Sequence, residues 1–113
     1  MSFWPLARRI AEELTAAAGR GPVVDLGAGE GGLSHRLAEL GLRTWMVDRR
    51  YPPAPGGAVA VAADALRLPW TDGCLGAVVA GNLLRQIPSA RRRRWAREMA
   101  RCLGDQGRLV VLE

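Results

Sequence analysis

The sequence predicts an α/β fold, a mostly parallel sheet of about five strands with flanking helices. Short apolar runs alternate along the 113 residues with segments of helical periodicity, and this order is typical of parallel strands joined by right-handed crossovers. The apolar run 23–26 leads directly into a glycine-rich turn over residues 27–32, and a helix-like segment follows. Glycine permits a sharp strand-to-helix turn and lets the backbone approach a ligand.

The strands and helices can be placed from these patterns. We expect helices at Ser2–Ala18, with Leu6, Ile10 and Leu14 at helical spacing, at Gly32–Leu40, and from a capping Ser89 to about Cys102. The segment 49–57 holds three prolines and two adjacent glycines, and is predicted as a loop. The expected strands are Val23–Leu26, Thr44–Val47, Ala58–Ala62, Leu75–Ala80 and Arg108–Leu112.

The composition indicates one globular domain over residues 1–113. Hydrophobic residues make up 49% and charged residues 24% of the chain, as in an ordinary globular protein. No apolar run is long enough to span a membrane, and the N-terminal segment lacks a signal-peptide pattern, so we expect a cytoplasmic protein. Cys74 and Cys102 match no metal-ligand spacing, so we expect reduced thiols and no metal site.

The basic residues are unusual because all 16 are arginine. The lack of lysine excludes any mechanism that needs an amine base or a Schiff base. The run Arg91–Arg94, with Arg97 and Arg101, invites a nucleic-acid interpretation. However, four consecutive positions circle a helix, and aromatic residues for base stacking are few. We therefore expect a solvated helix surface and no nucleic-acid partner.

Four motifs in order resemble the class I, Rossmann-like S-adenosylmethionine-dependent methyltransferases of the small methyltransferase-domain type. They are VVDLGAGEGG, TWMVDRR with Asp48 at its strand end, AADALRLPW with Asp64, and GAVVAGNLLRQIP followed by REMARCLGDQGRLVVLE. An acid at the end of the second strand can accept hydrogen bonds from both ribose hydroxyls of a nucleoside. Gly27, Gly29 and Gly32 alone also satisfy the weaker dinucleotide fingerprint, which leaves a nicotinamide-dependent oxidoreductase as a third reading.

The resemblance implies S-adenosylmethionine as cofactor, with the glycine turn near the methionine part, Asp48 on the ribose and Asp64 with Ala65 on the adenine. Each acid also has a plain structural alternative, as a strand-end, turn or capping residue. Trp70 could pack over the adenine or in the core, and Asn82 could line the methyl pocket or bond a loop. The implied cofactor-binding residues are Asp25, Gly27, Ala28, Gly29, Gly31, Asp48, Arg49, Asp64, Ala65 and Asn82.

The sequence also departs from the family pattern. Leu84-Arg85-Gln86 stands where relatives often read LHH, so no imidazole base is available there and the catalytic residues stay unknown. Arg85 could hold the carboxylate or phosphate of an anionic small-molecule acceptor, or lie on a solvated loop. Leu75-Gly76 replaces a common FD pair, and the single histidine, His35, is expected at the surface.

Family members usually continue past the fifth strand, whereas this sequence ends at Glu113. We therefore expect a sheet without the family's C-terminal strands and little of the acceptor side. An exposed fifth strand favours a homodimer that covers it. Two principal functions remain open: an S-adenosylmethionine-dependent methyltransferase, and a non-catalytic methyltransferase-like module that binds the cofactor or a partner.

Overall fold

A computed structural model describes residues 4–16, 21–27, 32–49 and 58–112. No helix within these ranges is long and apolar enough to cross a membrane. A single 3₁₀ turn, Leu84–Gln86, precedes the last helix. In chain order the elements are α1 (Trp4–Ala16), β1 (Val23–Leu26), α2 (Gly32–Glu39), β2 (Thr44–Asp48), β3 (Ala58–Ala62), β4 (Leu75–Gly81), α3 (Ser89–Cys102) and β5 (Leu103–Leu112).

The five strands form one sheet in the order β3-β2-β1-β4-β5, and every pairing is parallel. The strand order reverses between β1 and β4, and in sheets of this kind ligands bind at the carboxyl ends of the strands near such a reversal. The predicted α/β fold with a five-stranded parallel sheet is confirmed.

Helices cover both faces of the sheet. On one face, α1 and α2 bury Ile10, Leu14 and Leu37 against Val23 and Val79. On the other face, Trp95, Met99 and Cys102 of α3 pack against the central strands. The strand β4 is buried from Leu75 to Ala80, which explains why this stretch lacks the polar alternation of a half-exposed strand.

The structure refines one prediction about the helices and corrects another. Leu6 is 38% exposed, and the buried stripe of α1 consists of Ala7, Ile10, Ala11 and Leu14, because positions i, i+3, i+4 and i+7 share one helix face. Ser89 is the first residue of α3 rather than its cap; Pro88 occupies the N-cap position and no side-chain cap is present. The predicted ends of the first helix, and residues 50–57 of the loop predicted over 49–57, lie outside the described residues.

The last strand begins earlier than predicted. Leu103 pairs with Leu75, and the ladder resumes where Arg108 pairs with Ala77. The four residues 104–107 therefore bulge out of the ladder. Their sequence, Gly-Asp-Gln-Gly, has the composition of a turn, which is why the sequence alone placed the strand start at Arg108.

Two glycines bring β1 and β4 close together at the amino edge of the sheet. A Cβ added to Gly76 would lie 2.6 Å from the carbonyl oxygen of Gly21, and one added to Gly21 would lie 2.6 Å from the carbonyl oxygen of Cys74. Gly21 also has φ of +138°, a conformation that favours glycine. This close contact between the two backbones explains why Gly76 stands where the methyltransferases that the sequence resembles often have the second residue of an FD pair.

The C-terminal turn of α3 holds the segment 68–73 that precedes β4. The Glu98 carboxylate accepts the Leu68 backbone N–H at 2.6 Å and two guanidinium N–H groups of Arg101 at 2.8 Å. Arg101 also donates to the carbonyl oxygens of Leu68 and Trp70, and to Asp72. The Arg101 guanidinium lowers the pKa of Glu98 below its usual value. Glu98 is therefore ionised at neutral pH and pairs with Arg101.

A buried carboxyl connects β1 to α2. Asp25 is 4% exposed, and its Oδ2 accepts the Ser34 hydroxyl at 2.5 Å. Burial raises the pKa of Asp25 above its ordinary value; the hydrogen bonds from Ser34 oppose this, and the nearby Asp48 adds to it. The ionised form is therefore less stable in the folded protein than in the unfolded chain.

We expect the free energy of unfolding to fall as the pH rises from the ordinary pKa of Asp25 toward its raised folded value. In that window the folded state binds more protons than the unfolded state, so stability decreases with pH. Asp25→Asn removes the titration, so its stability relative to wild type should increase with pH, by about 1.4 kcal/mol for each unit of pKa elevation. Urea titrations across this range measure the difference.

The matched control is Asp105→Asn, which removes one carboxyl at an exposed position of β5. The relative stability of this control should not show the same rise. Parallel pH profiles for wild type and Asp25→Asn would contradict the raised pKa.

Candidate functional site

A concavity of about 280 Å³ opens at the carboxyl edge of the sheet. Ligand pockets in proteins are typically about 300–1,000 Å³, so the described part is large enough for one portion of a small ligand. Its floor comes from the ends of β1 and β2, and its walls come from the segments after β3 and β4. The lining residues are Leu26, Gly27, Val47, Asp48, Arg49, Ala63, Asp64, Ala65, Leu66, Leu83, Gln86, Ile87, Pro88 and Arg91.

Gly27 ends β1 at the floor of this concavity. Its φ is +74°, and its backbone N–H donates to the Val47 carbonyl oxygen at 2.8 Å. A Cβ at this position would lie 3.3 Å from the Leu83 side chain. Glycine therefore provides both the turn and the open floor.

Two carboxylates line the concavity. Asp48 ends β2, and its Oδ1 accepts the Arg49 backbone N–H at 2.7 Å. Asp64 follows β3, and its Oδ1 accepts the Leu66 N–H at 2.9 Å. The capping alternative for Asp64 and its position in the lining are therefore both observed, because one oxygen can cap the turn while the residue borders the concavity.

The wall opposite the two carboxylates is mostly apolar. The sequence analysis did not identify its residues as part of the site. Leu83, Ile87 and Pro88 form this wall after β4, and Leu66 adds an apolar side chain on the β3 side. The available signal was their position in the GNLLRQIP motif just beyond a buried strand, at the edge where the carboxylates lie. Apolar walls with two carboxylates suit a flat ring system that carries hydroxyl or amino donors.

Three predicted site residues do not line this concavity. Asp25 is buried in β1. Asn82 adopts φ of +53°, and its side-chain oxygen accepts an N–H from Arg85 at 3.1 Å. Its backbone N–H donates to the Leu112 carbonyl oxygen at 2.7 Å. These contacts match the loop-bonding alternative for Asn82, and Arg85 is exposed on the 3₁₀ turn. Ala28, Gly29 and Gly31 lie outside the described residues.

The other residues singled out in the sequence, which are Trp70, His35 and the two cysteines, also lie outside the lining of the concavity. Trp70 meets Trp45 edge to face, with ring centroids 5.8 Å apart, and packs against the core, as its core alternative predicted. His35 is partly exposed, with Nε2 2.8 Å from a Glu39 oxygen. Cys102 is buried and Cys74 half-buried, and neither forms a disulfide. Burial raises the pKa of the Cys102 thiol, which disfavours its thiolate. No group of potential metal ligands is present in the described ranges.

Comparisons with solved structures extend the fold assignment. A glycopeptide N-methyltransferase, MtfA, complexed with S-adenosylhomocysteine, superposes with a TM-score of 0.79 at 21% identity, covering 98% of this chain and 52% of that one. The CcbJ methyltransferase of Streptomyces caelestis gives 0.74 at 21% identity, covering 95% and 51%. The chain thus spans about half the length of these relatives.

A third solved structure is more similar in sequence. It is the 1,6-didemethyltoxoflavin-N1-methyltransferase of Burkholderia thailandensis, bound to 1,6-didemethyltoxoflavin and S-adenosylhomocysteine. It gives a TM-score of 0.72 at 28% identity, covering 93% of this chain and 50% of that one. Comparison with curated proteins gives no match.

The profile of one protein family, described as the methyltransferase domain, matches residues 24–111. The match runs from the strand before the glycine turn to the end of β5, and so includes every described residue of the concavity. The chain belongs to the methyltransferase domain family.

Proposed function

We propose that this protein binds S-adenosylmethionine in the concavity and transfers its methyl group to a small-molecule acceptor. The observation that carries the proposal is that Asp48 and Asp64 line one concavity above the Gly27 turn. Family membership supports it, as do related methyltransferase structures with bound S-adenosylhomocysteine.

The lining suggests a role for each part. Asp48, with Arg49 beside it, would accept hydrogen bonds from the ribose hydroxyls. Asp64 and Ala65 would meet the adenine, and the apolar wall at Leu83 and Ile87 would exclude water from it. The glycine turn, Gly27 with Ala28, Gly29 and Gly31, would face the methionine part. Asp25 would support that turn from β1, and Asn82 would hold the loop beyond β4.

The cofactor supplies a sulfonium, from which methyl transfer is an in-line displacement. When bound, it would supply an activated methyl group that an acceptor's lone pair displaces from sulfur, with S-adenosylhomocysteine as the leaving group and any acceptor proton lost to water. The protein contributes orientation, which can provide much of the acceleration. A strong base is not required for an amine acceptor, in keeping with the lack of histidine beyond His35.

We expect Asp48→Asn to weaken S-adenosylhomocysteine binding by about 10- to 100-fold, since hydrogen bonds to a charged group contribute about 1.5–3 kcal/mol. Isothermal titration calorimetry measures the affinity. Asp105→Asn, with the same charge change away from the concavity, should bind as wild type does. Equal affinities in all three proteins would reject the ribose assignment, and no binding by wild type at millimolar ligand would reject the cofactor. Binding without methyl transfer would instead indicate the non-catalytic module.

We propose further that Arg85 selects an anionic acceptor. It is exposed at the carboxyl edge of the sheet, and a guanidinium can hold a carboxylate or phosphate through two hydrogen bonds. In an assay of S-adenosylhomocysteine release, carboxylate acceptors should be preferred over their neutral amide analogues. Arg85→Gln should raise KM for the carboxylates about tenfold with little change in kcat. Arg43→Gln, at the amino edge, should not, and an unchanged preference in Arg85→Gln would refute this role.

We propose finally that a second copy of the chain covers β5. Leu109 and Val111 of this strand are 40% and 39% exposed, and an exposed apolar strand at a sheet edge favours association. Sedimentation at tens of micromolar protein should show a dimer. Leu109→Thr with Val111→Thr should weaken it, whereas Val59→Thr on the opposite edge strand should not. A strict monomer at this concentration would contradict the proposal.

A further inference from the structure

We propose that a groove beside the concavity, formed by Arg67, Arg91, Arg94 and Arg97, binds a ligand that carries at least two phosphate groups. We call these four residues the arginine groove. The proposal does not depend on the cofactor assignment, because Arg67, Arg94 and Arg97 lie outside the lining of the concavity and can be changed separately.

The groove consists of two adjoining depressions between α3 and the segment after β3. Arg67, Arg91 and Arg94 line the first depression, together with Asp64 at its inner end. Arg67, Arg94 and Arg97 line the second. Arg67 and Arg94 therefore belong to both depressions, and Arg91 also lines the concavity, so the groove is continuous with the proposed cofactor site.

Helix geometry explains why three of these arginines converge. Residues three apart share a helix face, so Arg91, Arg94 and Arg97 form a row that extends about 9 Å along α3. Arg67 faces this row from the loop. Arg92 is directed elsewhere, since its Nε donates to the Ile87 carbonyl oxygen at 3.2 Å. Four consecutive arginines circle a helix and cannot form one surface. Arg91, Arg94 and Arg97 are three residues apart, so that restriction does not apply to them.

The groove has a positive charge that nearby acids do not neutralise. None of the four guanidinium groups forms an ion pair or side-chain hydrogen bond with another residue in the described ranges. The charge of Arg94 helps to lower the pKa of Glu98. Both carboxylate oxygens of Glu98, however, accept hydrogen bonds from Arg101. Asp64 is the other acid lining the groove, so four positive groups face one negative group at the inner end.

Some arginines elsewhere have acidic partners and others, such as Arg8 and Arg93, have none in the described ranges. Arg9 pairs with Glu13, Arg36 with Glu39 and Arg101 with Glu98. The groove is therefore distinguished by the convergence of four arginines rather than by their lack of partners. A cluster of like charges without partners is electrostatically unfavourable, and a bound anion relieves the repulsion. The arginine groove is therefore arranged as an anion site rather than as a part of the ion-pair network.

The chemistry favours phosphates over a single carboxylate. Guanidinium groups bind phosphate oxygens through paired hydrogen bonds, and a row spaced about 4.5 Å per step along the helix can engage successive phosphates. Asp48, which lines the concavity but neither depression of the groove, would repel such a ligand from the concavity. A free oligophosphate and the backbone of a nucleic acid both present this chemistry, and the experiment distinguishes them.

The first probe is inorganic tripolyphosphate, titrated calorimetrically into the full chain at low ionic strength. We expect Arg94→Gln with Arg97→Gln to weaken binding more than tenfold. The matched control, Arg8→Gln with Arg93→Gln, has the same net charge, removes exposed arginines outside both depressions, and should stay within about twofold of wild type. Affinity should fall steeply with added salt in wild type and less steeply in the groove variant.

Single-stranded oligouridylates of increasing length form the second arm. If they compete with tripolyphosphate and bind more tightly with length, a nucleic-acid backbone is the source; if they do not compete, a free oligophosphate is. Equal weakening in the groove variant and the control would overturn the proposal, because net charge alone would then explain binding. No tripolyphosphate binding by wild type would also overturn it. Saturating S-adenosylhomocysteine should leave binding intact, which separates this result from failure of the cofactor proposal.

Discussion

The ion pair between Glu98 and Arg101 joins parts of the molecule that the rest of the site depends on. Through Leu68, Trp70 and Asp72 it fixes the segment that follows β3 against the C-terminal turn of α3. The first residues of that segment, 63–66, form one wall of the concavity. Arg91, in the N-terminal turn of α3, contributes to the opposite wall. The helix α3 therefore contacts the segment after β3 and contributes to the concavity, and it carries three of the four arginines of the groove.

The fold was predictable because its signals are local and repeated. The apolar strands, the glycine turn and the helical spacing each identify one element, and parallel pairing then follows from their alternation. The bounds of β1, β3 and the last helix agree with the sequence analysis. The structure differs from the prediction where residues outside an element decide its bounds, since Leu103 joins β5 through its pairing with Leu75. It also adds what spacing alone left open, because Leu6 has helical spacing but lies beside the buried stripe.

The candidate site was predictable only in part. The acids at the ends of β2 and β3 could be located because parallel strands place their carboxyl ends at one edge. The apolar wall at Leu83 and Ile87 could not, since leucine and isoleucine after a buried strand fit a core equally well. The convergence of Arg67 with α3 depends on how one loop folds back along a helix, which no spacing in the sequence encodes.

The contact between Gly21 and Gly76 has a consequence for how this sequence can vary. Each glycine leaves no room for a Cβ on the other's strand, so a side chain at either position must force the backbones of β1 and β4 apart. Once they are apart, a side chain at the second position meets less resistance. The two positions should therefore show epistasis, with two single substitutions costing more in sum than the double substitution.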